Sequence, residues 1–161
     1  MSLRLRLLLL LTLTASSFPS NAESPWDKPI PLLAKPTEIV VYRSPTCGCC
    51  GKWLEHLRHH HFNVVDHITD DMDGIKRQYG VPQNLASCHT AIVEGYVIEG
   101  HVPAADIQKL LAEKPPLKGL AVPGMVTGSP GMEMGERHDP FKVIGFEANG
   151  QYRIFNAYEQ Y

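Results

Sequence analysis

Short apolar runs with strand periodicity alternate along this chain with stretches whose apolar residues fall three and four apart. Glu38-Ile39-Val40-Val41-Tyr42 reads as a strand, closed by the turn Ser44-Pro45-Thr46. From Gly51 to His60, Trp53, Leu54 and Leu57 recur at helical spacing, and Asn63-Val64-Val65 with its flanks reads as a second strand. A short helix is expected from about Asp71 to Tyr79, with Thr69 to Asp71 offering N-caps and Gly80 and Pro82 ending it. Thr90–Val93 and Tyr96–Ile98 flank Glu94-Gly95 as a hairpin. Pro103 then opens a helix that carries Ala104, Ile107, Leu110 and Leu111 on one face, and Pro115-Pro116 stops it.

Three segments break this rhythm. Residues 1–22 join Arg4 and Arg6 to the apolar run Leu7–Leu13 and to the small residues Ser20-Asn21-Ala22, the pattern of a secretory signal peptide cleaved after Ala22. That run is too short to be read as a membrane anchor, and no other segment could span a bilayer. Residues 23–36 hold four prolines and read as an extended leader. Residues 119–140 hold five glycines, three prolines and three methionines with almost no apolar period; a loop of that length is usually functional or disordered. Phe141–Glu147 and Tyr152–Tyr158 then flank Asn149-Gly150, a strong hairpin signal that ties the loop down at its far end. Residues 37–161 are thus expected to form one domain, large enough for a core of its own.

The chemistry sits at the first strand-to-helix junction, in Cys47-Gly48-Cys49-Cys50. Helix geometry puts Cys47 near the N-cap and Cys49 and Cys50 in the first turn. There the open backbone N–H groups and the helix dipole favour thiolate over thiol. Together with the order β-α-β-α-β-β-α, this junction predicts an α/β, thioredoxin-like core followed by the Gly/Pro/Met-rich loop and the C-terminal β-hairpin. In such a fold the junction before the third strand faces the end of the cysteine helix, which would bring Cys88 across from the other three sulfurs. A buried apolar cysteine is the plainer account of Cys88. A lone free thiol is, however, unusual in an exported protein.

Cys47 and Cys50 have dithiol spacing, but a pure redox dithiol has no use for Cys49, which would compete in every exchange step. A metal cluster does, because adjacent thiolates bridge soft ions. Two ordinary disulfide staples suit the clustering poorly. Met125, Met132 and Met134 lie in the long loop, where little core exists to be filled, and thioethers are soft ligands that suit Cu(I) and not zinc. Met132, within Pro130–Met134, is the foremost candidate among them. His56, His59, His60 and His61 resemble a metal patch, yet a solvated last helical turn complementing the dipole accounts for them more simply. His101, just before Pro103, reads as structural. The whole chain carries a formal net charge of −2, so it has no electrostatic footprint for nucleic acid.

Cys47–Cys50, Ser87-Cys88-His89-Thr90, the stretch Gly95–Ala104 and Gly128-Ser129-Pro130-Gly131-Met132-Glu133 together resemble the CopG family of exported bacterial copper-resistance proteins. The likeness runs from about Thr37 to Tyr161. It implies a periplasmic, redox-active protein holding a small cysteine-bridged, multinuclear copper cluster that moves between Cu(I) and Cu(II). By position, the implied ligands are Cys47, Cys49, Cys50, Cys88 and Met132, with Met125, Met134 and His89 as weaker candidates. Copper ions, and other periplasmic copper-handling proteins, are the implied partners. Turnover as a copper oxidoreductase does not follow from the resemblance. A thiol–disulfide oxidoreductase using Cys47 and Cys50, a passive copper store and a Cys₃His zinc site are the competing functions.

Overall fold

The computed structural model describes residues 24–31 and 35–161. The proposed signal peptide, residues 1–22, lies outside them. The elements follow in the order β1 (Thr37–Arg43), α1 (Gly48–His59), β2 (Phe62–Ile68), α2 (Met72–Tyr79), β3 (His89–Val93), β4 (Tyr96–Glu99), α3 (Ala104–Glu113), β5 (Gly119–Ala121), β6 (Phe141–Phe146) and β7 (Tyr152–Tyr158). The fold is mixed α/β. A seven-stranded sheet has the spatial order β2-β1-β3-β4-β5-β6-β7, with β1 and β2 parallel, β4 and β5 parallel, and the remaining neighbours antiparallel.

Periodicity places the core. In β1 the alternate residues Ile39 and Val41 are fully buried, and Ala91, Val93, Ile98, Leu120 and Val143 continue the same layer across the sheet. Onto it pack Trp53, Leu54 and Leu57 of α1 and Ala104, Ile107 and Leu110 of α3. Residues three and four apart on a helix share one face, which is why those positions are buried together. The opposite face carries a smaller cluster of Leu85, Val97, Ala121 and Phe146, with Tyr79, Val81, Ile92 and Ile144 against it. In β6 the ordinary alternation of a strand turns Phe141 and Val143 to the first layer and Ile144 and Phe146 to the second, and a register shift against β7 lies between Val143 and Ile144.

Two expectations are corrected. The Pro-rich leader is not simply extended: Pro25–Asp27 form a 3₁₀ turn capped by Ser24, and Trp26 is buried among Phe141, Tyr158 and Tyr161. The Trp26 indole N–H donates to the Gly128 carbonyl at 2.7 Å, which ties this segment to the long loop. An indole that can satisfy its N–H is worth burying, and proline content alone does not reveal that. The second correction is β5, which lies in the stretch read as structureless. Three residues show no periodicity; β5 exists because β4 and β6 supply hydrogen-bonding partners on both its sides.

Candidate metal centre

Sheet register brings the cysteines together. Arg43, the last residue of β1, stands opposite His89, the first of β3, so Cys88 enters the sheet beside the turn that leads to Cys47. Cys47 is the N-cap of α1, and Cys49 and Cys50 lie in its first turn, as the spacing predicts. The Cys47 side chain makes no capping hydrogen bond. The four Sγ atoms lie within 4.8 Å of one another. Cys50 is fully buried, whereas Cys47, Cys49 and Cys88 are half-buried and so accessible to an incoming ion.

Two of the four sulfurs are bonded to each other. Cys47 and Cys50 form a disulfide with Cα atoms 5.4 Å apart; Cys49 and Cys88 are free, and Cys49 Sγ lies 3.6 Å from Cys47 Sγ. The pairing is that of a dithiol oxidoreductase, yet both remaining thiols stand beside it. Burial pushes the Cys88 thiol up to about 12, and the neighbouring Cys49 adds to the shift. A metal that binds Cys88 must therefore displace its proton.

Sequence reasoning ranked His101 as structural, and the structure places it against Cys88. His101 Nε2 is 3.1 Å from Cys88 Sγ, while Nδ1 lies 2.7 Å from the Pro130 carbonyl. A carbonyl only accepts, so Nδ1 carries the proton and Nε2 turns its lone pair toward the sulfur. Metal-bound histidines are held by this same division of roles, in which the second nitrogen donates to a carbonyl. His89 Nδ1 is 3.4 Å from Cys88 Sγ, and its Nε2 is buried with no hydrogen-bond partner among the described residues. Burial keeps both imidazoles below the usual histidine range, hence neutral and able to donate a lone pair. Cys88, His89 and His101 form a second compact ligand group that shares Cys88 with the first. The available signal was His101's place two residues after the strand paired with β3, which returns the chain to Cys88.

The long loop closes over this corner. Pro130 holds His101, and Gly131 lies directly on α1: a Cβ there would come within 2.6 Å of Trp53 N and 3.1 Å of the Cys49 carbonyl. Gly131 also has φ +82°, so only glycine meets both demands without strain. Met132 follows immediately and is half-buried, with its N–H donating to the Ser129 carbonyl and its carbonyl accepting from the Gly128 N–H. Met125 and Met134 are 66% and 68% exposed, away from such packing.

The histidines at and just beyond the end of α1 correct a further expectation. His59 and His61 are exposed, but His56 and His60 are buried instead of forming a solvated turn. His56 Nε2 accepts the Ala104 N–H at 3.0 Å, and His60 Nε2 donates to the Trp26 carbonyl at 2.7 Å. Desolvation, with His60 and His59 adding to it, lowers His56 to about 3. The helix dipole favours a cation here, and burial outweighs it. Among the described residues these histidines form no compact ligand group.

A family model described as "Protein of unknown function, DUF411" matches residues 85–132, the stretch that carries Cys88, His89, His101 and Met132. Two solved structures, titled "Copper resistance protein copG", Form 2 and Form 1, are each 48% identical to this chain with a TM-score of 0.74. The match covers 77% and 78% of this chain and 99% and 100% of those structures. The chain belongs to the CopG family. None of the curated proteins is a significant match. The CopG resemblance drawn from the motifs is thus borne out across nearly the whole length of the solved relatives. The corner built by Cys47, Cys49, Cys50 and Cys88 is the place where this CopG-family chain could bind a metal. Among the described residues, no helix is long and apolar enough to cross a membrane.

Proposed function

We propose that this protein is a periplasmic copper-binding redox protein that acts in copper resistance. In the reduced chain, Cys47, Cys49, Cys50 and Cys88 hold several Cu(I) ions through bridging thiolates, with Met132 and the His101 imidazole completing the ligand set. The observation that carries this is the convergence of four sulfur atoms within 4.8 Å, with a neutral imidazole lone pair aimed at one of them. Thiolate and thioether are soft ligands that suit Cu(I), imidazole also binds copper, and thioethers disfavour zinc. The titles of the solved relatives point to the same metal. Periplasmic residence follows from the signal-peptide pattern of residues 1–22, and we read the β1–α1 junction with its dithiol as thioredoxin-like. Bound copper supplies a one-electron couple. The chain's own part is to hold Cys88 half-buried beside the other sulfurs, to fix the His101 tautomer through Pro130, and to free Cys47 and Cys50 once an external dithiol reductant supplies their disulfide with two electrons and two protons.

The test is an anaerobic titration of the reduced protein, starting at Glu23, with Cu(I) against a competing chelator, followed by metal analysis. More than one copper per chain, unmoved by excess zinc, is expected. A single equivalent of zinc that Cu(I) does not displace would overturn the proposal. The Cys47–Cys50 disulfide favours a second function, that of a thiol–disulfide oxidoreductase. Catalysed disulfide reduction by the copper-free protein, unimpaired in Cys49→Ser and Cys88→Ser, would establish it.

Met132→Leu keeps volume and apolar character, so as a packing change it should cost under about 1.5 kcal/mol. Copper affinity or redox behaviour is expected to change while the melting temperature of the metal-free protein barely moves. The same swap at Met72, in α2, is the control and should leave copper binding unaffected. Identical copper titrations for Met132→Leu and its parent would remove Met132 from the ligand set.

A further inference from the structure

Beside Cys88 lies an ion pair that touches no sulfur, its carboxylate fully buried and its ammonium half-buried. Glu99, the last residue of β4, is fully buried, and Lys76 reaches it from α2 with Nζ 2.5 Å from Oε1. The same Oε1 accepts the Ser87 backbone N–H at 2.6 Å, and Oε2 accepts the Thr90 hydroxyl at 2.7 Å. Lys76 also donates to Thr90 Oγ1 at 3.1 Å. One carboxylate thus grips the chain on both sides of Cys88-His89, at the residue before and the residue after.

Further contacts fasten the same turn. Ser87 Oγ donates to the Gly124 carbonyl and lies 3.9 Å from Cys88 Sγ, and Gly100 N–H donates to the His89 carbonyl at 3.0 Å. A Cβ at Gly100 would come within 2.5 Å of Ser87 Oγ, so the end of β4 and the turn at Ser87 are in close approach. Two residues beyond Glu99 stands His101, whose Nε2 faces Cys88 Sγ. Glu99 therefore sets the Cys88 turn and the His101 turn relative to each other.

Stability alone is a poor reason for such a pair. Removing two charges from water costs about as much as their attraction returns, and apolar replacements of similar volume are often neutral or stabilising. What an apolar pair cannot do is accept the Ser87 N–H. We infer that Glu99, neutralised by Lys76, is a positioning residue that holds the Cys88 sulfur toward His101 and the cysteine helix. This role rests on the copper-binding function proposed above for its purpose, and on the hydrogen bonds alone for its geometry.

The test compares two double variants that preserve net charge. Lys76→Met with Glu99→Gln keeps an oxygen that can accept from Ser87; Lys76→Met with Glu99→Met keeps volume and removes that acceptor. Each is made in a Cys49→Ser background under non-reducing conditions, where the Cys47–Cys50 disulfide leaves Cys88 as the sole free thiol. The rate of Cys88 alkylation by a small reagent then reports its confinement with no metal present. The Met pair is expected to react about tenfold faster than the parent, the scale of losing one buried hydrogen bond, and the Gln pair at close to the parental rate. With Cys49 restored and the chain reduced, the Met pair should lose about tenfold or more in Cu(I) affinity, while the Gln pair should bind Cu(I) as the parent does. Parental alkylation rates for both pairs would overturn the inference, whatever the copper result. Faster alkylation in a protein that binds no copper would uphold the geometry and overturn the copper function instead. If the Met pair does not fold, Thr90→Val removes one arm of the grip, and a parental alkylation rate in that variant would overturn the inference equally.

Discussion

Cys88→Ser is expected to lower Cu(I) affinity as severely as Cys47→Ser, by about a hundredfold or more. That exceeds the ten- to hundredfold loss typical of groups that only orient a ligand. Cys47 sits in the cluster motif, whereas Cys88 lies far along the chain and precedes a different strand. Their sulfurs nonetheless share one site, and Cys88 belongs to both compact ligand groups. Removing its thiolate takes a donor from the four-sulfur group and breaks the link to His89 and His101. Serine keeps the size and much of the burial, so the metal-free protein should unfold within about 1 kcal/mol of its parent, as expected for a change away from large cavities or stranded charges. A chelator-competition titration of both variants, run beside their denaturant unfolding curves, decides the matter. Parental copper affinity in Cys88→Ser would make Cys88 a core residue and limit the site to the helix.

Acid is expected to destabilise the fold through His56, and His56→Gln to blunt that effect. His56 must stay neutral to accept the Ala104 N–H, and its burial lowers it to about 3. In the unfolded chain it returns to about 6.5. Below that value the unfolded state binds a proton that the folded state refuses, so stability is present above about pH 6.5 and is lost as pH falls. For this one residue the loss between pH 7 and pH 5 is about 2 kcal/mol. The glutamine introduced by His56→Gln can still offer an oxygen to the Ala104 N–H but does not titrate. Denaturant unfolding at several pH values should give the variant a shallower decline by about that amount. Parallel declines would mean that His56 takes up its proton in the folded state without penalty.

Much of the architecture was legible because it is local. The 3.6-residue recurrence of Trp53, Leu54 and Leu57 marked α1, the alternation around Ile39 and Val41 marked β1, and Asn149-Gly150 marked the final hairpin. The long loop was legible as special from its composition, although β5 inside it was not. A three-residue strand carries no period and depends on neighbours that are distant in sequence. Trp26 eluded the reading of the leader for a related reason: its burial depends on a carbonyl at Gly128 and on rings from β6 and the C-terminus.

The site divides in the same way. By itself the sequence determined that three sulfurs stand at a helix N-terminus, because a strand, a tight turn and a helical period in succession leave the cysteines no other place. Its motifs also determined the CopG family. Only the tertiary structure decided that His101 faces Cys88, that His56 and His60 are core groups, and that Glu99 grips the turn carrying Cys88. Each of those outcomes turns on which buried polar atom meets which partner across the sheet or between helices. Burial strongly favours such pairing, since an unpaired polar group in the interior costs more than a hydrogen bond returns. Which partner is met is set by strand register and helix placement, and no spacing along the chain encodes it.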